Sequence, residues 1–589
     1  MVDLSFFITY FILFLSVLGT LFAITSVILK DSRFLHISIF CLSLFSILIV
    51  IISINLWYLL FSRDFSCNYV FKTSHASLSY FYTFTTFWSA KEGSHLLWTL
   101  FISIISSLMV LRHVRIQHLI FYLNLFAHMI MFFMVGLLTL FHNPFEVISP
   151  TPLEGLGLNP ILQNFYMSLH PPFLFLGYAT LVIPFYYIMS SILHGSWTKE
   201  IAQKMLFWTM CSWTLLSIGI LLGSRWAYLE LGWGGYWSWD PVETLSLLPW
   251  LLLLATGHFL CVQLRSKQQL WHPQLTAVIC FVAVFSTFFS SFLIKTGVLH
   301  SVHAYAKSSL KPSYVFYTSL CLTVFLLLFS IALITRKKSA PKTSHNYEPL
   351  KIPLQTKATL GGVFLFIVFF VIILLSLFTP PLTKLFLGQA IILGPSFFGA
   401  TLPWLTLPLL ISMIISFFYI FRSLFSNAFL IILPKLLGHL GFILFTLGTL
   451  GSFLNEQEEF DLALHEVKTT QNHTLSFDDY AMSSDLSGRM ISAYISIKNI
   501  ADHGPGSTLF PALRHFSFHN IILSRPDILV TPNQDIYLTL MDINTADVKH
   551  AKAHFRLALH PFISLVWLGG ILIIFGGCTL LLCFWRRRP

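Results

Sequence analysis

SFFITYFILFLSVLGTLFAITSVIL, residues 5–29, contains no charged side chain. At 1.5 Å per residue a helix over this stretch reaches about 37 Å, more than the roughly 30 Å hydrocarbon core of a bilayer. It runs into Lys30-Asp31-Ser32-Arg33 without a small-residue cleavage site, so it reads as a retained spanning helix and not as a removed signal peptide. Apolar runs of similar length recur along all 589 residues, the last near 561–585, and thirteen are long enough to span. The composition agrees: 56% of residues are hydrophobic, 60 are Phe, mean hydropathy is +0.78, and only 10% are charged against roughly a quarter in soluble domains. The prediction is an all-α polytopic integral membrane protein of about 13 or more transmembrane helices. The formal charge of +11 is spread in short Lys/Arg clusters between apolar runs, not gathered on one basic face, so it marks topology and not a nucleic-acid partner.

Assigning the connections alternately to two sides puts 19 of the 35 Lys and Arg on one side, against eight in the opposite short loops. The positive-inside rule then predicts an exterior amino terminus and a cytoplasmic carboxyl terminus. The remaining eight lie in residues 455–558, which also hold 13 of the 24 acidic residues. Within that segment, 493–497 and 536–540 alternate apolar with polar residues at strand spacing, which predicts a small β-rich exterior domain before the last helix. The chain therefore divides into N-terminal helices (1–223), a tryptophan-rich loop with its flanking helices (224–311), further helices (312–454), the exterior domain (455–558), and a final helix with a basic tail (559–589). The eight cysteines include no CxxC or CxxCH, so no zinc ribbon, thiol-redox motif or covalent haem site is encoded.

The densest local signal is GWGGYWSWDPVE, residues 232–243, in a predicted exterior loop, where Trp233, Trp237 and Trp239 fall within seven residues. An interfacial aromatic belt gathers Trp and Tyr, but it does not need the glycines. Flat rings around a Gly-Gly turn suit close approach to a large flat ligand such as a porphyrin. Asp240 before Pro241, with Glu243 three residues on, also reads as a helix start of the capping-box kind, and the two roles are compatible.

Histidines inside a bilayer are costly and usually face a partner. His258 lies seven residues from Arg265, and His439 four from Lys435, roughly 10 and 6 Å along their helices from the cytoplasmic ends. They share a depth, as a bis-histidine b-type haem requires, and Gly438 and Gly441 around His439 would admit a macrocycle. His128, about 20 Å up its helix, is a packed core histidine. On the exterior side His170 and His303 make a second possible pair beside the tryptophan loop, with His300 as an alternative ligand.

These segments resemble the CcmF/NrfE haem lyase family of the multi-component bacterial cytochrome c maturation pathway. The tryptophan loop is similar to that family's WWD signature. WSAKEGSHLLW (88–98), NPFEVISPTPLEGLGLNPILQN (143–164), HPPFLFLG (170–177), KTGVLHSVHAYA (295–306), GHLG (438–441) and LVWLGGILIIFGG (565–577) follow in family order. The resemblance implies that His170 and His303 are axial ligands of a transferred haem at the outer WWD site, with Trp233, Trp237, Trp239 and Asp240 as its catalytic platform. It implies that His258 and His439 hold an intramembrane haem b. The implied reaction is thioether formation between haem vinyl groups and the CxxCH cysteines of apocytochrome c. The implied partners are the haem chaperone CcmE, a thiol-handling partner of the CcmH/CcmI kind, and quinol as electron source. The implied location is the bacterial inner membrane, with the active site periplasmic. Departures from the pattern are Arg225, where an aromatic is common, Thr244-Leu245 for Asn-Ala, and Lys295-Thr296 for Arg-Ser; Arg225 offers a cation to a propionate.

Other classes explain less. A transporter would carry charges mid-helix or paired broken helices, and the spans hold almost none. A quinol-oxidising cytochrome b would explain His258 and His439 but not the outer histidines and tryptophans. A tryptophan-rich synthase of the two-component pathway would have a different layout and a separate large exterior partner.

Overall fold

The computed structural model describes residues 1–113, 119–230, 232, 234–265, 273–296, 299, 312–339, 353–422, 429–470, 472–485, 488–500, 506–516, 521–545 and 551–586. Among the described residues fifteen α-helices form: α1 (Val2–Leu29), α2 (Ser32–Phe61), α3 (Asn68–Thr73), α4 (Tyr80–Thr85), α5 (Lys91–His113), α6 (Ile120–Phe141), α7 (Phe165–His194), α8 (Lys199–Glu230), α9 (Pro241–Arg265), α10 (Pro273–Thr296), α11 (Pro312–Ser339), α12 (Leu354–Leu387), α13 (Pro395–Arg422), α14 (Phe429–Gly451) and α15 (Ile563–Arg586). All but the short α3 and α4 are long and apolar enough to cross a membrane, thirteen among the described residues, as the sequence predicts. Phe and Ile side chains on α1, α2, α12 and α13 remain exposed because lipid, not water, is their solvent.

In lipid there is little hydrophobic gain from joining helices, so close backbone packing and buried polar contacts hold the bundle. The α14–α15 pair shows this directly. A Cβ at Gly441 would stand 2.7 Å from the Gly569 carbonyl oxygen, one at Gly569 2.4 Å from the Phe445 nitrogen, and one at Gly576 2.7 Å from the Gly438 nitrogen. Any side chain there would separate the helices that carry His439 and anchor the sheet domain. In the same way Gly219 of α8 lies against the backbone of Leu174 on α7. Polar ties cross the first helices: Asn124 Nδ2 donates to Ser38 Oγ (2.8 Å), and Asn55 Nδ2 to Ser5 Oγ (2.7 Å). His128 is fully buried, donates from Nε2 to the Ser38 carbonyl (3.0 Å), and meets the Phe45 ring edge-on.

Between α14 and α15 the described residues form ten strands: β1 (Glu456–Ala463), β2 (Val467–Thr469), β3 (His473–Asp485), β4 (Gly488–Asn499), β5 (Ser507–Leu509), β6 (Ala512–Phe516), β7 (Ile521–Arg525), β8 (Asp527–Val530), β9 (Gln534–Asn544) and β10 (Lys552–Pro561). They make two antiparallel sheets, β1-β10-β9-β8 and β2-β3-β4-β6-β7, with β5 paired to β4. Phe460, Phe477, Ile495, Leu538 and Phe555 fill the core between them. Along 493–497 the alternation gives buried and half-buried faces, but Ile536 to Leu540 is buried on both. The polar face of β9 is covered because Tyr537 packs on Tyr228 of α8, ring centres 5.3 Å apart, so the sheet domain sits directly on the membrane helices.

His560 of β10 lies in that junction, 2% exposed, against the rings of Tyr228 and Tyr537. Burial pushes its pKa down to about 4, so it folds as the neutral imidazole. The unfolded chain takes up a proton near pH 6.5 and the folded one does not, so the stabilisation is complete above that value and is lost as pH falls toward 4. The thermal unfolding midpoint of the detergent-solubilised protein is expected to drop across this window, by the equivalent of about 3 kcal/mol at most. His560→Phe should flatten that part of the profile, and an unchanged profile would count against it.

Candidate functional site

The tryptophan loop joins α8 to α9 and is bent by left-handed backbone at Gly232 (φ 62°) and Gly234 (φ 83°). These two glycines serve the sheet domain: a Cβ at Gly232 would stand 2.8 Å from the Ser524 carbonyl oxygen, and one at Gly234 2.8 Å from Gln457 Nε2. Of the three loop glycines Gly235, which lines a cavity, is the one at which a Cβ would meet no atom of another described residue within 4 Å. Trp239 also takes a positive φ (59°), uncommon for a residue with a side chain and a mark of a position fixed by its surroundings. Its ring stacks on Phe398 of α13 at 4.1 Å and 13°, and Trp237 meets it edge-on at 6.1 Å. Trp233 lies outside the described residues.

The two acids fix the loop to the helix that follows. Asp240 Oδ1 accepts from the Val242 amide (2.9 Å), which is an N-cap. Glu243 Oε2 reaches past Asp240 and accepts from the amide (2.9 Å) and hydroxyl (3.1 Å) of Ser238. The capping reading thus holds for Asp240, while Glu243 ties down the tryptophan loop itself.

Behind the loop is a cavity of about 480 Å³ between α8, α9, α14, α15 and the start of β1, within the usual size for a ligand site. Ser217, Leu221, Trp237, Trp239, Trp250 and Phe445 are among its walls, which among the described residues include no charged side chain and no histidine. Its floor continues into an aromatic column. Trp250 donates from Nε1 to Ser217 Oγ (2.8 Å) and stacks on Phe442 (5.6 Å, 21°); Phe442 meets Phe366 at 6.1 Å, and Phe366 meets His258 at 6.1 Å.

At the foot of the column His258 of α9 and His439 of α14 face each other, ring centres 6.1 Å apart and planes at 78°. Each Nδ1 lies 2.8 Å from a carbonyl four residues back, Leu254 and Lys435. A carbonyl can only accept, so each Nδ1 carries the proton and each Nε2 keeps its lone pair for a metal. Two imidazoles binding one iron through Nε2 at about 2 Å have ring centres about 6 Å apart, so the pair fits a bis-histidine haem. A Cβ at Gly438 would meet nothing within 4 Å, which leaves space beside the pair.

His170 of α7 donates from Nδ1 to the Gly219 carbonyl of α8 (2.7 Å) and presses on Gly223, where a Cβ would stand 2.6 Å from the ring. It thus meets α8 at Gly219 and Gly223, whereas the cavity is lined by Ser217, Ile220, Leu221 and Ser224, and His170 is not among the cavity walls. His303 and its alternative His300 lie outside the described residues. Trp250 and Phe442 join the site without having been singled out from the sequence. Trp250 stands eight residues before His258, and Phe442 three after His439, so helical spacing places each on its histidine's face.

These features define a polytopic membrane protein with paired imidazoles inside its helix bundle and an aromatic cavity beneath a docked sheet domain. The profile of the cytochrome C assembly protein family matches residues 88–300. The chain is 30% identical over 537 residues to the probable cytochrome c-type biogenesis protein NrfE of Escherichia coli, covering 90% of this chain and 92% of that protein. It is 27% identical to the cytochrome c-type biogenesis protein CcmF of Haemophilus influenzae, covering 90% of each. Its fold is similar to that of a solved cytochrome c haem lyase CcmF, with a TM-score of 0.76 at 19% identity, over 98% of this chain and 97% of the other. The chain belongs to the CcmF/NrfE family of cytochrome c-type biogenesis proteins.

Proposed function

We propose that this protein is the haem lyase subunit of a bacterial cytochrome c maturation complex, and that it carries a resident haem b between His258 and His439. The observation that carries the reading is the facing of those two imidazoles, each with Nδ1 tied back and Nε2 left as a ligand. The resident haem would supply one-electron reduction, with quinol as the electron source. The excess of Lys and Arg on the face opposite the tryptophan loop supports an inner-membrane protein with its loop and sheet domain in the periplasm.

The substrate haem would be delivered by CcmE and held beside the tryptophan loop, with His170 and His303 as axial ligands. Apocytochrome c would be presented by a CcmH/CcmI-type partner. In the reaction each cysteine S–H adds across a vinyl C=C: the S–C bond forms, the π bond breaks, and the thiol hydrogen goes to the other vinyl carbon, with no net oxidant. The contribution of this chain is orientation, by rings held rigidly through Asp240 and Glu243. A reduced-minus-oxidised spectrum and a haem-to-protein ratio on the purified protein test the reading; a protein purified without b-type haem from haem-replete cells overturns it.

The loop makes a separate prediction. If Trp237 and Trp239 act through ring contact, worth roughly 1 kcal/mol each beyond buried area, Phe should preserve holocytochrome c yield in a maturation-deficient host better than Ala. Asp240→Asn should be tolerated, since Asn caps a helix about as well as Asp. Ala variants that accumulate normally in the membrane and still mature cytochrome c fully would reduce the loop to an interfacial belt.

A further inference from the structure

Arg225, offered by the sequence as a cation for a propionate, takes no part in the site geometry described above. Its guanidinium lies over the rings of Trp567 (5.0 Å) and Tyr228 (5.7 Å) and forms no ion pair or hydrogen bond with another described residue. A half-buried guanidinium with idle donors is unusual, because its hydrogen-bonding capacity is normally met by a carboxylate, a carbonyl or a ligand. Stacking on two rings holds the planar fork in place and leaves its edge for a bidentate partner.

Its surroundings are equally under-used. Tyr228 is the hub, with ring centres 5.6 Å from Trp567 and 5.7 Å from His560. The Tyr228 hydroxyl donates to Asp535 Oδ2 (2.9 Å). Trp567 Nε1, His560 Nε2 and Asp535 Oδ1 are all buried without a hydrogen-bond partner among the described residues, and His560 and Asp535 are each only 2% exposed. Buried polar atoms without partners call for a ligand or ordered water. Burial raises the Asp535 carboxyl, while the Tyr228 hydroxyl bond and the Arg225 charge act against that rise.

The cluster adjoins residues of the tryptophan cavity along two helices. Leu221 and Ser224 line the cavity, and Arg225 and Tyr228 stand four residues further along the same stripe of α8. On α15, Trp567 follows the cavity residue Val566. Among the described residues the cavity walls hold no charge, so an acidic arm of a ring seated there needs a cation beyond the walls, and Arg225 lies one helical turn past Leu221 on α8.

We propose that Arg225, with Trp567 and the sheet-domain residue His560 beside it, is a carboxylate-binding site at the sheet-domain end of the tryptophan cavity, and that it takes an acidic arm of the flat ring seated there. This rests on the reading of the loop region as the seat of the transferred haem. It also gives the sheet domain a direct part in recognition, through His560 and through the hold of Asp535 on Tyr228.

Binding of metal-free protoporphyrin IX to the purified full-length protein tests it, because a ring without iron does not depend on histidine ligation. Fluorescence titration of wild type, Arg225→Leu and Arg225→Lys is run with the diacid and with its dimethyl ester. Arg225→Leu is expected to weaken the diacid at least tenfold and leave the ester within twofold, with Arg225→Lys between. Equal affinity of wild type and Arg225→Leu for the diacid, or an equal loss for the ester, overturns the site. A small carboxylate as competitor separates a ring's arm from a free anion: displacement of the diacid by millimolar succinate would reassign the site to small anions and overturn the arm. If neither porphyrin binds wild type, the reading of the loop region under the proposed function fails first, and this one with it. Intensity of the intramembrane haem band serves as the folding control, and Arg225→Lys remains informative if the leucine variant does not accumulate.

Discussion

Alanine at His258 or His439 is expected to take the purified protein from about one b-type haem per chain to under about a tenth, since lipid offers no substitute axial ligand. Either change alone should suffice. The two imidazoles stand 6.1 Å apart as one pair, and each is oriented by a single backbone carbonyl on its own helix. His128→Ala is the control: His128 is more deeply buried than either member of the pair, but its Nε2 is spent on the Ser38 carbonyl, so haem content should be unchanged. Filling the open space at Gly438 with isoleucine should lower haem content while both ligands remain. Wild-type haem content in both alanine variants would rule out the pair.

The second large effect is expected at the other end of the bundle. His170→Ala or His303→Ala should abolish holocytochrome c formation in a maturation-deficient host while the b-type band persists, because His170 lies across the α7–α8 contact from the aromatic column. Gly223 provides an independent route to the same end. A Cβ there would stand 2.6 Å from the His170 ring, so Gly223→Val should displace the imidazole and reproduce the loss without touching a ligand. Loss of maturation in His300→Ala with full activity in His303→Ala would move the ligand three residues back along the chain. Joint loss of the b-type band in the His170 variant would show that the two sites are not separable.

The class of the molecule and most of its site vocabulary were legible in the chain. An uncharged run such as 5–29 leaves a helix across lipid as the only way to satisfy its backbone, so thirteen spans follow from composition and length alone. Depth along a helix is simple arithmetic from a basic terminus, which is why His258 and His439 could be paired, and a proline-led helix start made Asp240 readable as a cap. Tertiary structure alone decided which faces meet. Gly232 and Gly234 accommodate the sheet domain rather than a ligand, because Ser524 and Gln457 occupy the space over them. The polar side of Ile536–Leu540 is buried, against its alternating pattern, because that face is docked on Tyr228. Asp535 and Tyr228 share a hydrogen bond across 307 positions of sequence. Periodicity along one chain records local direction and depth, whereas contacts across such separations depend on how whole helices and sheets pack, which no local pattern encodes.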